Sequence, residues 1–246
     1  AYDDPAVVES LASLYEAFLR LRGAGHVTYL FQHFENVEAS LRDRPDDKPR
    51  VQNLLRRTFA RAKAIRPDLK TGVCIQSYEK QHWPAAMVQD WNVAIGTDVV
   101  PIISFGPSHF DPEEDATRTL AEFDAVLKGA QGLRIAINEC GHHSSRKIGT
   151  GDEGQKAFVR ELFSLLRERH ASIELATWYE YSDLDPVAAT ALGAYLATIS
   201  ANPLAAGYFA ENMGTCGLLT NDGQAKPGAE TWCEEAARYY RSREKR

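Results

Sequence analysis

Five short runs rich in β-branched, aliphatic and aromatic residues alternate along this chain with amphipathic stretches of helical period, and that alternation leaves few folds open. The runs are 26–34, 70–76, 99–105, 133–139 and 173–181. Each ends at a breaker or a change of pattern, as strands of a covered sheet do. Between them, helical spacing covers 4–21, with Leu11, Leu14, Phe18 and Leu21 on one face, and 50–65, which stops at Arg66-Pro67. It returns over 84–93 and over 112–128, where Asp111 is placed to cap and Pro112 to open the first turn. Further helices are expected at 152–170, with Phe158, Leu162, Phe163 and Leu166 turned inward, at 186–200 and at 228–243. Strands alternating with helices imply a parallel sheet with the helices outside, an α/β protein.

A chain of 246 residues can bury its core as one domain, 1–246. Five strands fall three short of a closed eight-stranded barrel. The segments 204–209 and 216–220 would add at most a piece of strand. The expected architecture is therefore an incomplete or modified TIM-like (β/α) barrel with about five parallel strands and outer helices.

Residues 133–145, LRIAINECGHHSS, concentrate the chemistry. The apolar run Leu133 to Ile137 ends in Asn138-Glu139 and breaks at Gly141. The carboxyl ends of parallel strands are where β/α barrels keep their reactive groups. Glu139 is thus either a working carboxylate or an ordinary strand-end acid that caps the next helix. A second carboxylate comes from HVTYLFQHFENVEASL (26–41), where alternation through Val27, Tyr29, Phe31 and His33 brings Glu35 into register at the strand end. Glu38 is the second choice there. Two such groups, roughly 5–5.5 Å apart, are what retaining glycoside hydrolysis needs: one protonates the leaving oxygen, the other attacks the anomeric carbon.

Other chemistries find less support. A net charge of −6 argues against a nucleic-acid partner, and the basic stretch 56–66 reads as one exposed helix face. No run approaches the length of a membrane span. Cys74, Cys140, Cys216 and Cys233 form no CxxC pair. The adjacent His142 and His143 point apart and lack a third ligand at the usual spacing, so no metal is expected. GTGDEGQK (149–156) lacks phosphate-loop spacing, and no G-x-S-x-G elbow is present. The chain starts without Met or a leader and is read as a processed product or a trimmed chain, its compartment open.

These segments, taken in order, resemble the retaining (β/α)8 glycoside hydrolases of clan A. Residues 27–35, VTYLFQHFE, are similar to the fourth strand of that clan, which ends in Gly-Asn-Glu with the acid/base Glu last. KTGVCIQ (70–76) is similar to strand five, TDVVPIISFGP (97–107) to strand six, and LRIAINECGHHSS to the seventh strand, which carries the nucleophile. ELATWYEYSDLD (174–185) is similar to strand eight, and CGLLTNDGQAKPGAETW (216–232) to the common ending with Lys-Pro before the last helix. The resemblance implies Glu35 as acid/base, Glu139 as nucleophile, an oligo- or polysaccharide substrate and no cofactor. His33-Phe34 stand where the clan has Gly-Asn, so the hydrogen bond that Asn gives the sugar 2-hydroxyl is missing or supplied differently.

The resemblance also implies that strands one to three are missing and that the sheet has open edges, which invite pairing with a second copy as a homodimer. Trp178 is placed either to floor the sugar site, as the clan's strand-eight Trp does, or to pack in the core. Tyr181 stands beside it in the same role. His142 and His33 are candidate polar contacts, and Tyr78, Trp83, Phe105 and His109 follow strand ends where they line the site or pack a loop.

Overall fold

The computed structural model describes the chain apart from residues 1–3, 22–23, 33–40, 42–43, 77–83, 104–116, 150, 200–202 and 245–246. Glu35, Glu38, His33, Tyr78, Trp83, Phe105 and His109 lie outside the described residues. The chain divides into two units, 1–102 with 125–136, and 103–124 with 137–246.

In the first unit, α1 (Pro5–Leu19) starts where Asp4 Oδ1 accepts the Ala6 N–H at 2.8 Å and Pro5 supplies a preset first position. It buries Val8, Ala12 and Leu19 and packs on α2 (Lys48–Ile65), which buries Val51, Leu54, Leu55, Phe59 and Ala62. Pro67 explains the stop, because the residue before a proline is pushed out of helical geometry. β1 (Tyr29–Gln32) lies parallel to β2 (Lys70–Val73), Tyr29 level with Lys70 and Gln32 with Val73. Leu30 packs with Leu19, Ala62 and Leu69. The alternate residues Tyr29 and Phe31 put their rings 5.5 Å apart on the other side of the strand.

The run expected as one strand over 70–76 is two. It breaks at Cys74, and β3 (Ile75–Gln76) belongs to the second sheet. Asn92 accounts for the break: its Oδ1 accepts the Val73 N–H and its Nδ2 donates to the Val73 carbonyl, each at 3.0 Å. A side-chain amide thus stands where a neighbouring strand would. Asn92 sits in a π-helical turn, Val88–Val93, that continues the short α3 (Pro84–Met87). Gly72 is required by the close approach of the next strand, since a Cβ there would lie 2.5 Å from Pro101. That strand, β4 (Val99–Ile103), is buried throughout, and α4 (Thr117–Gly129) follows it.

β5 (Arg134–Cys140) runs through the boundary of the units. The four-stranded sheet has the order β3-β4-β5-β6, with β6 (Ile173–Trp178) beside β5. Between them α5 (Asp152–Glu168) buries Phe158, Val159, Leu162, Phe163, Leu165 and Leu166, an inward stripe of helical period. Three helices close the chain: α6 (Pro186–Ile199), α7 (Pro203–Met213) and α8 (Pro227–Glu244). α5 packs along α8, with Phe163 edge-on to Trp232 at 5.0 Å. Residues 204–209 fall within α7 and add no strand. Leu219, in 216–220, makes only isolated bridges to Ser182 and Ala225. The protein is an α/β fold with parallel strands in two sheets, a partial TIM-type barrel. No helix among the described residues is long and apolar enough to cross a membrane.

Candidate active site

The carboxyl ends of β5 and β6 carry the described part of the candidate site. The Tyr179 N–H donates to the Cys140 carbonyl at 2.7 Å. In a parallel pair this bond puts Cys140 level with Trp178, and therefore Glu139 level with Thr177. Side chains alternate across a strand, so Glu139 and Thr177 share one face while Cys140 and Trp178 share the other. Glu139 is half-buried and Thr177 exposed; the Thr177 hydroxyl donates to the Asn138 carbonyl and ties the two strands together.

Trp178 belongs to the helix-covered face. Its indole N–H donates to the Cys216 carbonyl at 3.0 Å, and its ring meets Phe158 of α5 at 5.9 Å and Trp232 of α8 at 5.5 Å, both edge-on. Of the two roles open to it in the sequence, core packing is the one its surroundings match. His142 lies on that side too. Its ring centroid is 5.9 Å from Phe158, its carbonyl accepts the Gln155 amide at 2.8 Å, and its Nδ1 bonds the His143 carbonyl at 2.6 Å. A carbonyl only accepts, so that nitrogen carries the proton. Burial holds the His142 imidazole below its ordinary pKa, which keeps it neutral. Tyr181, by contrast, is 74% exposed, with its ring open to a ligand. The sequence expectations thus separate: Glu139 and Trp178 are on opposite faces, and Tyr181 is out in solvent.

A network that the sequence did not announce holds the loops beyond these strands. Lys226 Nζ lies 2.5 Å from Asp183 Oδ1, and both side chains are nearly buried. The same ammonium donates to Ser144 Oγ at 3.0 Å and to the Thr215 carbonyl at 2.9 Å, while Asp183 Oδ1 accepts the Gly217 N–H at 2.9 Å. Segments after β5, after β6 and before α8 are thereby pinned at one point. Burial raises the Asp183 pKa, and the Lys226 hydrogen bond and charge oppose that rise. Gly217 admits no side chain, since a Cβ would sit 2.2 Å from the Asp183 nitrogen. The Lys-Pro of the closing motif was the one sequence sign of this network.

Glu180, just past Trp178, has a left-handed backbone, φ 63°, which costs a non-glycine residue energy. Its carboxyl is held above the ordinary value by burial and then by the charge of Asp183. Beyond β5, Glu211 binds Ser145 Oγ at 2.6 Å and Lys147 Nζ at 3.1 Å, and these contacts lower its pKa. Among the described residues no group of three or more His, Cys, Asp or Glu side chains is placed to hold a metal ion.

No protein-family model matches the chain, and no curated protein sequence is significantly similar to it. Solved structures are similar. The xylanase 10B of Thermotoga maritima superposes with a TM-score of 0.61 at 13% identity, over 98% of this chain and 67% of that one. The exo-β-1,4-mannosidase Op5Man5 of Opitutaceae bacterium strain TAV5 gives 0.61 at 18% identity, over 97% and 41%. The β-D-glucuronidase of Dictyoglomus thermophilum gives 0.60 at 13% identity, over 94% and 36%. The chain thus spans two thirds or less of the length of these structures.

The fold is that of these solved structures, a partial (β/α) barrel, in line with the order of motifs in the sequence. Family 10 xylanases recur among the similar structures, and at such low identity the likeness is one of fold.

Proposed function

We propose that this chain is a retaining glycoside hydrolase acting on an oligo- or polysaccharide, with Glu139 as nucleophile and Glu35 as acid/base. One observation supports this above the rest: Glu139, the next-to-last residue of β5, lies on the face turned away from α5 and α8, in a fold whose similar structures include a xylanase, a mannosidase and a glucuronidase. A carboxylate held there by a rigid strand is placed for attack on an anomeric carbon. Glu35 is assigned by its place at the end of the first expected strand and by the similarity of 27–35 to the clan's acid/base strand. Tyr181 is the exposed aromatic available to stack on a sugar ring.

The test is a panel of aryl β-glycosides and xylo-, manno- and gluco-oligosaccharides, with the anomeric form of the first product followed by NMR. The expected result is retention of configuration. Glu139→Gln lowers kcat on the order of 10³-fold or more with the circular dichroism unchanged. Full activity in Glu139→Gln, or an inverted product, would overturn the assignment.

A second reading is a barrel that binds carbohydrate with little turnover. Two observations favour it: His33-Phe34 replace the clan's Gly-Asn, and Trp178 lends its ring to the helix layer. Saturable sugar binding without product over the same panel selects this reading.

A further inference from the structure

Thr177 is the side chain that the register of β5 and β6 sets directly beside Glu139. The bond from the Tyr179 N–H to the Cys140 carbonyl makes the two residues level, and the alternation of each strand puts them on the same face. Neighbouring strands lie about 4.8 Å apart, so a group that reaches the end of Glu139 comes within one strand spacing of Thr177.

What Thr177 can do there follows from its own hydrogen bond. Its hydroxyl donates to the Asn138 carbonyl, one residue before Glu139. A carbonyl has no proton to give, so the proton in this bond is the threonine's. A hydroxyl has one donor and two acceptor sites, and with the donor committed to β5 only lone pairs remain. The bond also turns the oxygen toward β5, the strand that carries Glu139. The backbone of Thr177 is held from the same strand, since the Cys140 thiol donates to the Thr177 carbonyl at 3.1 Å. Burial pushes the Cys140 thiol up, so it keeps that proton. Beside the carboxylate there is thus a second acceptor, neutral and fixed in place by β5. It does not serve Glu139 itself, because an ionised carboxylate also only accepts.

We propose that Thr177 is a further substrate-binding residue, whose hydroxyl oxygen accepts a hydrogen bond from the sugar 2-hydroxyl; this rests on the reading of Glu139 as nucleophile. Only one group of the sugar fits. The oxygens nearest an anomeric carbon are the ring oxygen, the glycosidic oxygen and the 2-hydroxyl. The first two carry no hydrogen in the substrate and can only accept. The 2-hydroxyl alone has a proton to give. A bond to it bears on rate, because hydrogen bonds to the 2-hydroxyl strengthen as the transition state forms. The substrate class follows: sugars with a free 2-hydroxyl on the ring that is attacked.

Kinetics of the parent and Thr177→Val on 4-nitrophenyl β-D-glucoside and β-D-xyloside, and on the 2-deoxy counterpart of each, test this. Valine keeps the branched shape and removes the oxygen. On the hydroxylated substrates Thr177→Val is expected to lower kcat/KM roughly five- to tenfold, the worth of one neutral hydrogen bond, with most of the loss in kcat. On the 2-deoxy substrates, which have no proton to offer, parent and variant should agree within about twofold. Thr177→Ser keeps the hydroxyl and should follow the parent on all four. An equal loss on both kinds of substrate overturns the proposal, because cutting the tie to Asn138 would then act by displacing Glu139. Equal rates of parent and Thr177→Val on the hydroxylated substrates overturn it too. Neither result touches the role of Glu139, which Glu139→Gln decides. Full activity in that variant, or no hydrolysis of any glycoside by the parent, removes both.

Discussion

Trp178 stands level with Cys140 across β5 and β6, so its indole lies on the opposite face of the sheet from Glu139. Its N–H is taken by Cys216 and its ring edges by Phe158 and Trp232. Truncating it should therefore act on stability before it acts on sugar. Trp178→Ala is expected to cost about 3 kcal/mol, the low end for aromatic truncation because the ring is only half-buried. KM for any hydrolysed glycoside should stay within about twofold, since the ring packs on the face opposite Glu139. Urea unfolding and steady-state kinetics on the same preparation check both; a large KM rise at unchanged stability would return Trp178 to the sugar site.

Lys226 and Asp183 form a buried ion pair at 2.5 Å that joins three loop segments. Removing one partner strands the other charge. Lys226→Met is expected to cost about 3–5 kcal/mol. Lys226→Met with Asp183→Leu should recover part of that loss, because no charge is then left buried alone. It should not recover all, because the Gly217 N–H loses its acceptor and Ser144 its donor. A double-mutant cycle by chemical denaturation gives the coupling directly. Additive losses in the two single variants would mean the pair is not coupled.

What the sequence made legible is what adjacent residues decide. The run Leu133 to Ile137 and the break at Gly141 mark β5, observed at Arg134–Cys140, and the inward residues of α5 follow from period alone. Asn138-Glu139 at the strand end needed nothing beyond that run. The parts that escaped depend on distant partners. The break at Cys74 is made by the side chain of Asn92, in a π-turn that no periodicity announces. Which face Trp178 takes depends on its register against β5, not on the order TWYEY. The Asp183–Lys226 pair spans 43 residues. Local pattern reaches strands and strand ends; the faces of a site and the pins behind it are set by tertiary contacts.

Glu180 combines a left-handed backbone with a carboxyl pushed above its ordinary value of 4.5 by burial and by Asp183. The folded state then holds the proton more tightly than the unfolded one. Stability from this group is present at low pH and is lost as pH rises through 4.5 toward the raised folded value. Glu180→Gln should flatten that loss and make the protein more stable at neutral pH. Glu180→Gly should add to this by relieving strain: about 1–2 kcal/mol for a left-handed residue, less the roughly 0.5–1 kcal/mol entropic cost of glycine. Melting curves of the three proteins between pH 4 and 7 separate charge from strain. No gain in either variant would mean that Glu180 is better satisfied than its surroundings indicate.

His142 makes the opposite case. Burial lowers its pKa from 6.5, and the hydrogen bond from Nδ1 to the His143 carbonyl only partly offsets that. A histidine kept neutral by the fold binds its proton more readily when unfolded. Its contribution to stability is therefore complete above pH 6.5 and is lost as pH falls through 6.5 toward the lowered folded value. Over that window the unfolding free energy should drop by up to about 1.4 kcal/mol per pH unit, the limit for one differentially bound proton. His142→Asn keeps a donor of similar reach toward the His143 carbonyl but does not titrate. Its denaturation profile should be flatter than the parent's as pH falls below 6.5, by up to that slope, and parallel to it above pH 7. If parent and variant fall together below pH 6.5, the acid sensitivity belongs to another group and the imidazole is not held neutral by its place against Phe158 and Gln155.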